Sequence, residues 1–214
     1  MKLKEIGSSF MRAIQLNEIE QDTTRELLNI AMGKACANIS QLTKKEVLLC
    51  IPEIEVSEIE KSSLFFNTSH SVAVAQAFTG ELHGDILLVF PEDVIKTLAG
   101  AITGDIGGVQ AVSEELETDA IIEVGNIVLN TCLAGITNQL GCEVASELPR
   151  MYRGKISGIF KQASINVFRS LLFKTRISIE ELNFDSQITI LMGSESFVSF
   201  HMLLDRYMKR IGVH

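Results

Sequence analysis

Asp22–Pro52, DTTRELLNIAMGKACANISQLTKKEVLLCIP, and Asp119–Pro149, DAIIEVGNIVLNTCLAGITNQLGCEVASELP, are the stretches that decide how this chain is read. They align without a gap. Nine positions are identical: Asp22/Asp119, Glu26/Glu123, Asn29/Asn126, Ile30/Ile127, Ala37/Ala134, Ile39/Ile136, Glu46/Glu143, Val47/Val144 and Pro52/Pro149. Chance would leave about two over such a window, so the pattern reads as an internal duplication.

The flanking sequence repeats the same outline. In the first half a helical pattern over about 18–43 leads into a strand at 46–56. Strand-like runs follow at 71–78 and 84–90, and Pro91-Glu92-Asp93 opens a short helix ending near Ala101. Proline in a first turn with acids behind it is a helix-start signal. In the second half a helix over 115–140 precedes a strand at 143–148. A short helix is expected after Pro149, then strands near 167–179 and 186–192. A final helix over 194–211 places Phe197, Phe200, Leu204, Met208 and Ile211 on one face. The linker Gly104-Asp105-Ile106-Gly107-Gly108 is too short to tether independent domains. The expectation is one α/β (α+β) domain over 18–214 with pseudo-two-fold symmetry. Its repeats are about 18–104 and 113–212, with two long helices packed on a common, antiparallel-rich sheet. Residues 1–17 lie outside the repeat. Leu3, Ile6, Phe10 and Ile14 follow a helical stripe there, so this extension reads as an amphipathic helix, more readily a packing arm against the domain than a specific docking helix.

Composition narrows the function classes. The chain has 214 residues, 46% hydrophobic and 21% charged, which suffices for a packed core and argues against global disorder. A net charge of −8 argues against a dedicated nucleic-acid binder, which carries a basic patch or stripe. The purely apolar runs, such as Ile86–Phe90, fall far short of the roughly 20 residues of a spanning helix. The first residues, Met1-Lys2-Leu3-Lys4-Glu5-Ile6, lack the apolar core of a signal peptide. Cys36, Cys50, Cys132 and Cys142 form no C-x-x-C pair and sit in apolar segments, as reduced cytoplasmic thiols do. His70, His83, His201 and His214 show no ligand spacing, and no metal site is expected.

The polar landmarks recur as Asp22-x3-Glu26-x2-Asn29-x22-Pro52 and Asp119-x3-Glu123-x2-Asn126-x22-Pro149. At about 100° per residue, with Glu26 at zero, Asn29 falls near 300° and Asp22 near 320°. All three project from one strip. Leu27, Ala31, Ala35, Ile39 and Leu42 take the opposite face, as do Val124, Val128, Cys132 and Ile136 in the second copy. A polar strip on an amphipathic helix is ordinarily a solvated face. Two details argue for more. Asparagine is a poor mid-helix residue, and here it is used twice. Ile30 and Ile127 place an apolar side chain beside the strip, as a docking surface requires.

The chain places no Cys or Ser beside a His for nucleophilic attack and has no phosphate-cradling glycine loop. An outward Glu and Asn can act by entering another protein's active site. There the amide holds a water in line and the carboxylate pairs with a cation. Hydrolysis of an activated phosphoryl group needs little beyond such positioning.

This doubled pattern resembles the signature of the CheC/CheX/FliY family of chemotaxis phosphatases, and two copies in a stand-alone chain are similar to CheC. The similarity spans roughly 18–212 and includes Glu123-Val124-Gly125-Asn126-Ile127 and Gly84-Asp85-Ile86-Leu87-Leu88-Val89-Phe90. It implies a phosphatase of the aspartyl-phosphate of a CheY-like response regulator, acting in the cytoplasm. Glu26 and Glu123 would pair with the regulator's active-site lysine, and Asn29 and Asn126 would orient the attacking water. Asp22, Asp119, Ile30 and Ile127 would line the docking face. Pro52 and Pro149 would shape a corner after each strand. The resemblance implies no cofactor on this chain, with Mg2+ held by the regulator. Some members bind the receptor deamidase CheD, for which the region after Pro149 is the candidate surface. A non-catalytic adaptor of the chemotaxis and flagellar-switch system, or a CheD-binding regulator, is the alternative, and the duplication favours a monomer. The first copy departs from the family at Leu28, where the second keeps Gly125, and the helical projection turns Leu28 toward the core.

Overall fold

A computed structural model describes residues 16–57, 70–103, 113–163, 169–179 and 182–213. The expected N-terminal helix through Leu3 and Ile14 and the linker at 104–108 lie outside the described residues. The elements are helix α1 (Glu18–Thr43), strands β1 (Val47–Ser57), β2 (Ser71–Gly80) and β3 (Gly84–Pro91), and α2 (Ile95–Thr103) after a 3-10 turn over Glu92–Val94. Then come α3 (Glu114–Leu140), β4 (Val144–Ser146), β5 (Arg150–Gly154), α4 (Ile156–Ala163), β6 (Arg169–Ile179), β7 (Leu182–Met192) and α5 (Ser194–Ile211).

Local chemistry fixes the ends of the two long helices. Asn17 caps α1: its Oδ1 accepts from the Glu20 amide at 3.0 Å, and Glu20 Oε2 accepts from the Asn17 amide at 2.7 Å. Ser113 caps α3, accepting from the Leu116 amide at 3.3 Å. Both helices end on a left-handed residue, Gly141 after α3 (φ 72°) but Lys44 after α1 (φ 55°).

The strands form one sheet in the order β1-β6-β7-β3-β2-β4, with β5 also on β2, and every pairing is antiparallel. When β1, β2 and β3 are matched with β4, β6 and β7, this order reads the same from either end. The register agrees: Val47 opposes Ile179, the last residue of β6, and Val144 opposes Gly80, the last residue of β2. Phe173, Ile188, Leu88, Val74 and Phe78 line the main core, on which α1, α2, α3 and α5 pack. Leu87, Val89, Ala73 and Leu191 face the other way and are covered by Ile156, Ile159 and Phe160 of α4. The two long helices pack on each other closely enough that a methyl on Gly135 would overlap that of Ala31.

Several expectations are corrected. Pro149 is followed by a strand, β5, and the short helix starts only at Ile156. The free edge of β2 supplies hydrogen-bonding partners to 150–154, a tertiary effect that local periodicity does not report. Pro149 separates β4 from β5 along one sheet edge, and Pro52 lies where the register of β1 shifts between Cys50 and Glu53 on the other. Both prolines therefore sit within interrupted edge strands, not at corners beyond them. Proline lacks the ladder donor and is tolerated at edges and bulges. Leu42 and Ile211, expected on buried faces, are exposed. Helix α3 is, by length and composition, apolar enough to cross a membrane, although apolar runs alone did not suggest it; more than half of its most apolar window is buried inside this fold.

Candidate functional site

The apolar sides of α1 and α3 account for what the sequence puts there. Leu27, Leu28, Ala31, Met32, Ala35 and Ile39 of α1 are buried, as are Val124, Val128, Cys132 and Ile136 of α3. What remains on the outside is the polar strip. Asp22 and Glu26 are exposed with Asn29 half-buried beside them, and Asp119 and Glu123 are exposed with Asn126 half-buried. Each helix thus carries its acids and its amide on the solvent side. Ile30 is 47% exposed, whereas Ile127 is half-buried against the core. Leu28 is fully buried, as its projection implies.

The polar groups differ in their partners. The Asp22 carboxylate accepts from Arg25 at 2.7 Å, a pair on the helix surface. Isoleucine, Ile122, stands at the equivalent place after Asp119. Asn126 is tied inward: Asn130 Nδ2 donates to its Oδ1 at 2.6 Å. Asn130 Oδ1 in turn accepts from Ser146 Oγ at 3.0 Å and from Gln76 Nε2 at 3.2 Å. The same Gln76 nitrogen donates to the Glu147 carbonyl at 2.6 Å, in the break that Pro149 helps create between β4 and β5.

Two further pairs of equivalent residues went unnoticed in the sequence. Glu20 and Glu117 are also 97 positions apart, just before the aligned window, and both carboxyl groups are buried. Glu20 Oε1 lies 2.7 Å from His201 Nε2 and Glu117 Oε1 lies 2.7 Å from Arg153, which also reaches Glu92 at 3.5 Å. The hydrogen bond from Arg153 to Glu117 raises the guanidinium's already high pKa. Ile19 and Leu116, equally spaced, are 45% and 55% exposed at the N-terminal ends of the strips. Extending the alignment a few residues upstream would have found all four. Leu148, 85% exposed, stands two residues beyond Ser146. Among the described residues no cluster of three or more His, Cys, Asp or Glu side chains has the arrangement of a metal site. Burial pushes the Cys132 and Cys142 thiols above their ordinary pKa.

Comparison with known proteins bears on this arrangement. No protein-family model matches the chain. A Halobacterium salinarum protein, named provisionally as the CheY-P phosphatase CheC1, is 25% identical over 179 residues, covering 83% of this chain and 92% of that protein. In fold, the chain is similar to Thermotoga maritima FliY (TM-score 0.73, 19% identity, 90% of this chain and 98% of that one). It is also similar to the FliM middle domain of Helicobacter pylori (TM-score 0.60, 10% identity, 88% and 99%). The architecture is thus that of the chemotaxis and flagellar-switch α/β proteins. Sequence relationship and fold together make the chain similar to the CheC and FliY proteins.

Proposed function

We propose that this chain is a phosphatase of the aspartyl-phosphate carried by a CheY-like response regulator, working in the cytoplasm. The observation that carries the reading is the pair of outward Glu–Asn strips on helices whose other faces are buried in the core. The CheY-P phosphatase named among its relatives supports the same substrate.

In this reading each helix docks its strip against the regulator. Glu26 or Glu123 pairs with the regulator's active-site lysine and sets the register, a charge-assisted contact that is stronger once desolvated. Asn29 or Asn126 then holds the attacking water in line with the phosphorus–oxygen bond. Fixing that geometry removes the entropy of bringing water and phosphoryl group together. Water supplies the oxygen of the released phosphate, and the regulator's aspartate leaves as its carboxylate. The metal that steadies the phosphoryl oxygens, Mg2+, belongs to the regulator. Asp22, Asp119, Ile19, Ile30, Leu116 and Ile127 form the rim of the two docking faces.

The decisive experiment uses Asn29→Ala/Asn126→Ala. Stimulated loss of phosphate from a matched regulator should fall to the regulator's own rate, with binding retained. A double variant that still accelerates dephosphorylation removes the catalytic assignment. A wild-type chain that binds the regulator without accelerating hydrolysis supports an adaptor instead. Binding of CheD, through the surface after Pro149, is a separate question that co-purification answers.

A further inference from the structure

The two strips are not equivalent, and the difference lies one helical turn beyond each asparagine. We infer that Asn130 is a positioning residue for the second site: it fixes the amide of Asn126 with the oxygen inward and the nitrogen outward. The inference rests on the phosphatase reading and names a residue that the doubled motif does not contain.

An asparagine amide can turn over at little cost unless its partners distinguish oxygen from nitrogen. Here they do. Asn130 Oδ1 accepts from two donors, Ser146 Oγ at 3.0 Å and Gln76 Nε2 at 3.2 Å. The serine hydroxyl can serve either way, but a flipped Asn130 would set its own NH2 against the Gln76 NH2, so its nitrogen is committed to the other side. There it donates to Asn126 Oδ1 at 2.6 Å. Gln76 is itself oriented, because its nitrogen also donates to the Glu147 carbonyl at 2.6 Å and its side chain is 3% exposed on the helix-facing side of β2. Orientation therefore passes from the backbone of the broken edge strand, through Gln76 and Asn130, to Asn126. The Asn126 NH2 is left to donate outward, toward a water or phosphoryl oxygen. One lone pair of its carbonyl remains for a second contact.

The first helix cannot use this device. Glycine, Gly33, stands where α3 has Asn130, and a Cβ built there would meet nothing within 4 Å. The sheet register matches Gln76 with Thr175 and Ser146 with Leu49, neither of which can repeat the chain of amides. A pre-set donor costs no reorganisation when the reaction occurs, so the bond from Asn130 should raise the rate of the second site.

The test isolates that site in Asn29→Ala and then exchanges the isosteric pair, Asn130→Asp. Aspartate keeps both acceptor contacts to Gln76 and Ser146 but sets an acceptor against Asn126 Oδ1. Dephosphorylation at saturating phospho-regulator should fall about tenfold with KM unchanged. Asn130→Ala, which buries no charge, should reproduce the fall if the aspartate variant does not fold. In Asn126→Ala the same exchanges should cost nothing further. Unchanged kcat in Asn29→Ala/Asn130→Asp and Asn29→Ala/Asn130→Ala, a loss carried by KM, or an equal loss with Asn126 absent each overturns the assignment. So does an Asn29→Ala chain that has no activity left. Failure of the phosphatase reading is read separately, from an inactive wild type or an active Asn29→Ala/Asn126→Ala chain.

Discussion

Helices α1 and α3 share landmarks residue for residue, yet each meets its surroundings differently. In α1 the residue just before the asparagine is Leu28, sunk in the core. In α3 it is Gly125, where a Cβ would come within 2.5–2.6 Å of the Val74 side chain. One helix fills its contact with a large side chain, and the other lets strand β2 approach its backbone. Asp22 is neutralised by Arg25 while Asp119 has no arginine at that spacing, and Asn126 is clamped by Asn130 where α1 has Gly33. The two copies thus share the acids and the amide on the solvent side while packing differently beneath them. Each half solves its own packing problem.

The largest effect should come from making the halves alike in the core. Gly125→Leu drives a whole side chain into Val74 and should prevent stable folding, or cost at least about 3 kcal/mol in a denaturant titration. Leu28→Gly opens a cavity in the other half and should cost about 3–5 kcal/mol while the chain still folds. Similar, small losses for both would mean that the helices pack alike, contrary to the contacts described.

Next come the acids. Glu26→Lys and Glu123→Lys should each weaken regulator binding about tenfold at low salt, through repulsion of the regulator's lysine and loss of a charge-assisted contact. Undiminished affinity in low-salt calorimetry would remove the lysine from the docking scheme. Leu148→Ser, two residues beyond the Ser146 that bonds Asn130, should weaken binding by a smaller factor of about three without altering stability. An equal effect in a chain lacking Glu123 would locate Leu148 outside that docking face.

The helix ends give the smallest contrast. Lys44 adopts the left-handed conformation that Gly141 adopts in the other half, and a side chain there costs about 1 kcal/mol. Lys44→Gly should therefore stabilise the chain by about that amount, and Gly141→Lys should destabilise it similarly. Equilibrium unfolding of the two variants checks both signs.

Much of this arrangement was legible in the sequence. Helix α1 (18–43) and helix α5 (194–211) follow from periodicity, and the strips follow from helical spacing alone. The strand β5 was not legible, because Arg150–Gly154 becomes extended by pairing with β2, a partner some 75 residues away in the chain. The prolines were misplaced for the same reason: their spacing from the asparagines is visible, but the edge they interrupt exists only in the assembled sheet. Asn130 carried no signal either, since its meaning comes from Gln76 and Ser146 on two separate strands.

By itself the sequence determined the long helices and which of their side chains must face outward, because 3.6-residue periodicity is a local property written in consecutive residues. Only the tertiary structure decided how the halves interleave in one sheet and how Asn126 is held in a single orientation. Those depend on hydrogen bonds between segments far apart in the chain, and such bonds leave no periodic trace along it.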